Sequence, residues 1–265
     1  MKKIRLKKVL KSLGIIPNIC KFCAKDLEIE KLKNNCIEDY EYICNDCFKL
    51  YKNKFRKQTQ RIDNDIIHIF LEDYSCIKKE IMDIKYFDKQ YILKAIIEIT
   101  IKDIIINIED NKKSDVIMIY IPTTLQKIIE RGNISKYICK KIRYEIGKNN
   151  NLKKEEKEEK GKIRIKKICT IAKVEKDIEM KKLNKEERNI KVKEKYCYIK
   201  GNFLEKYIKE NIRQNDIKIM IIDDVYTTGA TMKNILEMIE NNIMKNLCNE
   251  EKHKIEYIFF SLAKD

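Results

Sequence analysis

From Tyr74 to about Asp110 the apolar positions Ile77, Ile81, Ile84, Ile92, Leu93, Ile96 and Ile97 recur at steps of three and four, which is a helical period. The pattern then changes. Residues 116–121, VIMIYI, form a short continuous apolar run closed by Pro122, as a buried strand does. A helix is predicted next, its apolar face carried by Leu125, Ile128, Ile129, Ile134, Ile138 and Ile142 and interrupted near Gly132. Strand-like runs return at 163–171, 195–199, 218–222 and 257–262, with a helix predicted over 230–245. This alternation predicts an α/β fold whose parallel sheet is flanked by helices, and such sheets place ligands at the carboxyl ends of their strands. The run LKKEEKEEKGK at 152–162 has almost nothing to bury and reads as a solvated loop or a helix extension.

Composition narrows the class. Hydrophobic residues make up 43% of the 265-residue chain and are spread along it, which fits a packed core. The formal charge of +16 arises in a chain rich throughout in Lys, Ile and Asn, with its basic residues interleaved with Glu and Asp. Diffuse, salt-dependent affinity for polyanions is the most this charge implies, and no sequence-specific nucleic-acid binding is expected. The basic start MKKIRLKKVLKSLGIIPN lacks the apolar core of a secretion signal, and no apolar run is long enough to span a bilayer. A cytoplasmic location without membrane insertion is expected.

Ten cysteines without an export signal point to reduced thiols or metal ligands. Cys20-x-x-Cys23 and Cys44-x-x-Cys47 stand 20 residues apart, close to the spacing of a four-thiolate zinc site. Two disulfides, or unligated buried thiols, are the alternatives. With four protein ligands the ion would be structural, and Cys36 is expected to be a spectator. His68 and His253 are isolated, and neither is assigned chemistry.

The strongest local signal runs from Ile219 to Thr231: an apolar strand, the pair Asp223–Asp224, then Thr227-Thr228-Gly229-Ala230-Thr231 opening a helix. Backbone N–H groups at a helix N-terminus favour an anion, Gly229 permits close approach, and Thr hydroxyls can donate to a phosphate. Paired carboxylates accept from vicinal hydroxyls such as those of a ribose and offer oxygen ligands of the kind Mg²⁺ prefers. A turn opened by the acids and a helix capped by Thr227 or Thr228 is the plainer alternative.

Together these parts resemble the signature of the type I phosphoribosyltransferases, which bind 5-phosphoribosyl-1-diphosphate. With the cysteine module ahead of it, the chain resembles the ComF family of competence-associated, predicted amidophosphoribosyltransferases. Lys85-Tyr86, the Asp115–Pro122 segment, Arg131-Gly132 and Arg188 are similar to elements of that family. Asn133, Ile134, Ser135, Met180 and Lys191 depart from its pattern in the parts that would surround an acceptor.

The resemblance implies a zinc-binding module over 1–60, a helical connecting segment over 61–110 and a type I phosphoribosyltransferase-like domain over 111–265. It implies a phosphate and ribose site of Asp223, Asp224, Thr227, Thr228, Gly229, Ala230 and Thr231, the two acids also being catalytic. Lys85, Pro122, Thr123, Arg131 and Arg188 would face the diphosphate, with Mg²⁺ accompanying it. Transfer of the phosphoribosyl group to an amine or base is the implied reaction. A non-catalytic ligand-binding protein supporting DNA uptake or recombination, or a zinc module acting as an adaptor, are the alternatives.

Overall fold

A computed structural model of the chain describes residues 19–27, 43–55, 57–63, 66–86, 90–108, 114–155, 163–178 and 183–265. Cys36, Met180 and most of the charged run at 152–162 lie outside them. The first described helix, α1 (Asn45–Lys52), is capped by Cys44, whose sulfur accepts the Cys47 N–H. The chain continues through β1 (Gln58–Asp63), β2 (Ile66–Asp73), α2 (Tyr74–Tyr86), α3 (Gln90–Ile108), β3 (Asp115–Tyr120), α4 (Leu125–Arg131), α5 (Ile134–Glu155) and β4 (Arg164–Cys169). Then come β5 (Ala172–Val174), α6 (Lys185–Lys195), β6 (Tyr196–Tyr198), α7 (Phe203–Asn211), β7 (Ile217–Ile222), β8 (Val225–Tyr226), α8 (Ala230–Asn242), α9 (Asn249–Lys252) and β9 (Ile255–Lys264).

The main sheet has the order β1-β2-β9-β7-β3-β4, with β8 added to β9. Every pairing in it is parallel except that of β1 with β2. Strand side chains alternate between faces, so the two layers of helices meet opposite sets of residues. Val116, Met118, Met220, Ile222, Ile258 and Phe260 pack with α2, α3 and α5, whereas Ile117, Ile119, Ile219, Ile221 and Phe259 pack with α6, α7 and α8. Because both faces are covered, β7 is buried over all six of its residues, Lys218 included, which is why Ile219–Ile222 read as a continuous apolar run.

Several expectations change. Residues 58–73 form a hairpin rather than the start of a helical connector: β2 enters the main sheet beside β9, and the 60/61 boundary falls inside β1. A short apolar run in a doubly covered strand has no period to distinguish it from a helix, and the helical repeat begins only at Tyr74. Leu125 and Ile129, assigned to a buried helix face, are 72% and 78% exposed, and Ile128 is exposed too. Gly132, at φ +72°, ends α4, and α5 starts afresh with Ile138, Ile142 and Ile146 turned inward. The run at 195–199 pairs with β5 in a separate two-stranded sheet instead of joining the main one.

Candidate functional site

The site begins where β7 ends. Asp223 N–H still donates to Phe260 O on the neighbouring strand, at 3.0 Å, and the Asp224 carbonyl accepts from Leu262 N–H, also at 3.0 Å. The two carboxylates therefore stand on backbone that the ladder holds, at the carboxyl edge of the sheet. Asp223 Oδ1 accepts from Asp224 N–H at 2.9 Å and from Ser135 Oγ at 3.3 Å, and Asp224 Oδ1 accepts from Val225 N–H at 2.8 Å. The two bonds to adjacent N–H groups turn the chain toward α8, and the one from Ser135 ties the turn to α5.

Gly229 is the N-cap of α8 and takes φ +73°, ψ 0°, a left-handed conformation that favours glycine. It also lacks space for anything larger, since a Cβ there would fall 2.2 Å from the Tyr226 hydroxyl oxygen. Thr228 Oγ1 accepts from Ala230 N–H at 3.3 Å, and Arg188 Nη1 donates to Thr227 Oγ1 at 3.3 Å. The Tyr226 ring lies on that of His68, centroids 4.2 Å apart, which ties the loop to β2. His68 Nε2 donates to Ser261 Oγ at 2.9 Å, a direction fixed by Ser261 Oγ itself donating to Ala263 O.

Two cavities open on this edge. The first, about 400 Å³, is lined by all seven residues of the phosphate and ribose set together with Lys85, Arg188 and Tyr74. The second, about 590 Å³, is lined by Pro122, Thr123, Lys127, Ser135, Lys195 and Tyr196 among others. Asp223, Asp224, Lys85 and Thr231 line both. Of the residues expected on the diphosphate side, Lys85 is shared by the two cavities, Arg188 lies in the first, and Pro122 and Thr123 lie in the second. Arg131 is the last residue of α4.

Charge is concentrated at the shared wall. Lys85 Nζ lies 2.8 Å from Asp224 Oδ2. Burial works against the Lys85 ammonium, but the Asp224 carboxylate, with Asp223 behind it, outweighs this and holds its pKa above the ordinary lysine value. Burial, and then the adjacent Asp224 charge, push the Asp223 carboxyl up to about 7 against the pull of its hydrogen bonds and of Lys85. Lys195, which donates to Ile178 O at 3.2 Å, is pushed down by burial and by Lys127. The Tyr196 phenol is pushed up by burial and by both acids.

Lys127, Lys195, Tyr196 and Tyr226 are site residues that the sequence did not single out, while Ser135 stood there only as a departure from the family pattern and His68 only as an isolated histidine. Ser135 follows the Arg131-Gly132 element, a signal pointing to the right turn; the lysines are indistinguishable in sequence from the many solvated ones.

The acidic pair does not make a magnesium site by itself. Asp223 Oδ1 and both oxygens of Asp224 already face donors, one of them a lysine ammonium. Among the described residues, the only group of three or more His, Cys, Asp or Glu side chains close enough to share an ion is the cysteine set. The sulfurs of Cys20, Cys23, Cys44 and Cys47 lie within 4.8 Å of one another, with Cys23 Sγ 3.6 Å from Cys44 Sγ. Four thiolates around a tetrahedral Zn²⁺ at Zn–S of about 2.3 Å stand about 3.8 Å apart, so the cluster fits such an ion. Phe22 stacks on Tyr51 at 4.2 Å, and Cys20, Cys44 and Cys47 belong to the same hydrophobic cluster as α2 and α3. The module is thus packed onto the sheet's helical layer.

Among the described residues, no helix is long and apolar enough to cross a membrane. In comparisons with known proteins, the chain matches no family model and no curated sequence.

Proposed function

We propose that the chain is a phosphoribosyltransferase-type protein of the ComF kind, binding 5-phosphoribosyl-1-diphosphate and passing its phosphoribosyl group to an amine or base. The observation that carries this reading is the first cavity. It joins an anion-favouring helix N-terminus at Gly229 to two carboxylates at the end of a central parallel strand. The 5-phosphate would meet the Gly229–Thr231 backbone and the Thr228 hydroxyl, and the ribose hydroxyls would donate to Asp223 and Asp224. The diphosphate would extend past Lys85 toward Pro122 and Thr123, with Arg188 at the phosphate end. Magnesium enters this reading only as the partner of the ligand's own diphosphate, and zinc only as the structural ion of the cysteine cluster.

In transfer, the bond from ribose C1 to the diphosphate oxygen breaks and its electron pair leaves with the diphosphate. The acceptor nitrogen's lone pair forms the new C1–N bond, and its surplus proton goes to water or to the released anion. Positive charge that develops on the sugar is stabilised by the carboxylates below it, and the leaving charge by Lys85. The second cavity has room for the acceptor.

A ligand-sensing role without transfer is the second reading, and one observation favours it. Asn133 donates to Ile121 O and caps α5 by accepting Lys136 N–H, while Ser135 is bonded to Asp223. These side chains are committed to the protein and not offered to an acceptor. The two readings separate on diphosphate release in the presence of ammonia, amines and nucleobases. Release with any of them supports transfer, and saturable binding without release supports sensing.

A further inference from the structure

We propose that the acidic pair takes its counter-charge from the Lys85 ammonium instead of from a divalent cation, so that a 5-phosphorylated ribose binds here without added metal. The inference rests on the phosphoribosyl reading of the first cavity.

The ammonium is delivered by the fold. β2 runs parallel to β9 and passes directly into α2, so α2 starts at the same edge of the sheet as the phosphate loop. Ile77, Ile81 and Ile84 anchor one face of α2 in the core, and Lys85 follows at its end. Its side chain is only 19% exposed and that of Asp224 only 22%, so the 2.8 Å ion pair is no mobile surface contact. Three features make it a substitute for a metal. It takes up Asp224 Oδ2, for which a cation bound at Asp224 would have to compete. It borders both cavities, as a cation serving ribose and diphosphate together must. Moreover, a metal displacing it would leave a partly buried ammonium without its partner, which is strongly unfavourable, and Mg²⁺ sheds its own water reluctantly. Lysine and metal therefore exclude one another at Asp224.

The carboxylates still serve a ribose, because Asp224 Oδ1 and Oδ2 each face a single protein donor and keep a second lone-pair direction for a hydroxyl. The lysine also prepares the site for an anion. Two adjacent carboxylates without a counter-ion would repel a phosphate arriving at the neighbouring helix N-terminus, and Lys85 removes one of those charges in advance.

The test uses ribose 5-phosphate, which carries no diphosphate to bring a metal with it. It is titrated calorimetrically into the full chain in resin-treated buffer without free chelator, so that an ion on the cysteines stays in place, with and without millimolar Mg²⁺. The expected result is the same affinity in both, within about threefold. Lys85→Gln should bind about tenfold more weakly without Mg²⁺ and recover part of that when Mg²⁺ is added. A parent affinity that rises tenfold or more with Mg²⁺ overturns the inference alone, as does Lys85→Gln binding as tightly as the parent in metal-free buffer. No binding by the parent in either buffer overturns the phosphoribosyl reading, and the inference with it. If Lys85→Gln does not fold, the two parent titrations decide.

Discussion

The two cavities that share the Asp223–Asp224 wall are built in opposite ways. Most of the first comes from one stretch, residues 223–232, which runs from the end of β7 into the start of α8, with Tyr74, Lys85, Arg188 and Asp265 added from elsewhere. The second is assembled from the end of α2, the turn after β3, the start of α5, the segment before α6 and the junction of α6 with β6. A contiguous site is specified by local rules: a strand end, a left-handed glycine, a helix N-terminus. A dispersed one exists only after the sheet has formed, so its chemistry follows the packing. The first cavity should therefore fail through changes to its own loop, and the second through changes at distant points.

The largest expected effect tests whether the cysteine module stands apart from both cavities. Cys44→Ser should abolish zinc content and lower the thermal midpoint, because a structural ion carries folding energy and these cysteines share a core with α2 and α3. The loss should be several kcal/mol, below the roughly 10–16 kcal/mol of isolated zinc fingers, since packing remains. Ribose 5-phosphate binding below the new midpoint should persist. Elemental analysis and differential scanning calorimetry check both halves.

A smaller effect probes how the first cavity is tied to the sheet. His68 is fully buried, its Nδ1 faces no hydrogen-bond partner, and burial followed by the charge of Lys264 pushes its pKa down to about 4. Unfolded, it would titrate near 6.5, so its neutral form contributes stability above that pH which is lost as the pH falls toward 4, about 3 kcal/mol in all. Asp223, with its raised pKa, acts in the opposite sense over the same window. Denaturant titrations between pH 7 and 4 of the parent and of His68→Phe, which keeps a ring against Tyr226, isolate the imidazole: the variant should lose less stability on acidification.

The smallest effects separate the cavities directly. Thr228→Val should weaken ribose 5-phosphate and phosphoribosyl diphosphate alike, by about 1.5–3 kcal/mol or roughly ten- to hundredfold. Lys195→Met should leave ribose 5-phosphate unchanged and weaken only the diphosphate-bearing ligand, by roughly 1 kcal/mol. Equal losses for both ligands in the lysine variant would show that the cavities are not distinct.

This contrast explains what was legible in the sequence. Asp223 through Thr231 could be picked out together because they stand consecutively at one strand end and helix start, and the cysteine pairs because each Cys-x-x-Cys turn brings two sulfurs together. β3, β7 and β9 were legible as apolar runs. β2 was missed because His68 and a lack of alternation hide a strand buried on both sides, and with it went the support beneath Tyr226. The apolar face of α4 was misplaced because a helical period does not reveal that the helix stops at Gly132 and leaves Leu125 and Ile129 outside. Lys127 and Lys195 were invisible among the 58 Lys and Arg residues, and Lys85 was noticed but not its partner, because an ion pair 139 positions apart in the chain exists only in the fold.

The central claim is that Asp223 and Asp224 hold the ribose of a phosphoribosyl ligand. Its most direct test is calorimetric titration of ribose 5-phosphate and of phosphoribosyl diphosphate into the parent and into the Asp223→Asn/Asp224→Asn variant, with circular dichroism to confirm that the variant is folded. Two charge-assisted hydrogen bonds replaced by neutral ones should lower affinity for both ligands by at least about a hundredfold. A folded variant that binds both ligands as tightly as the parent would contradict the account.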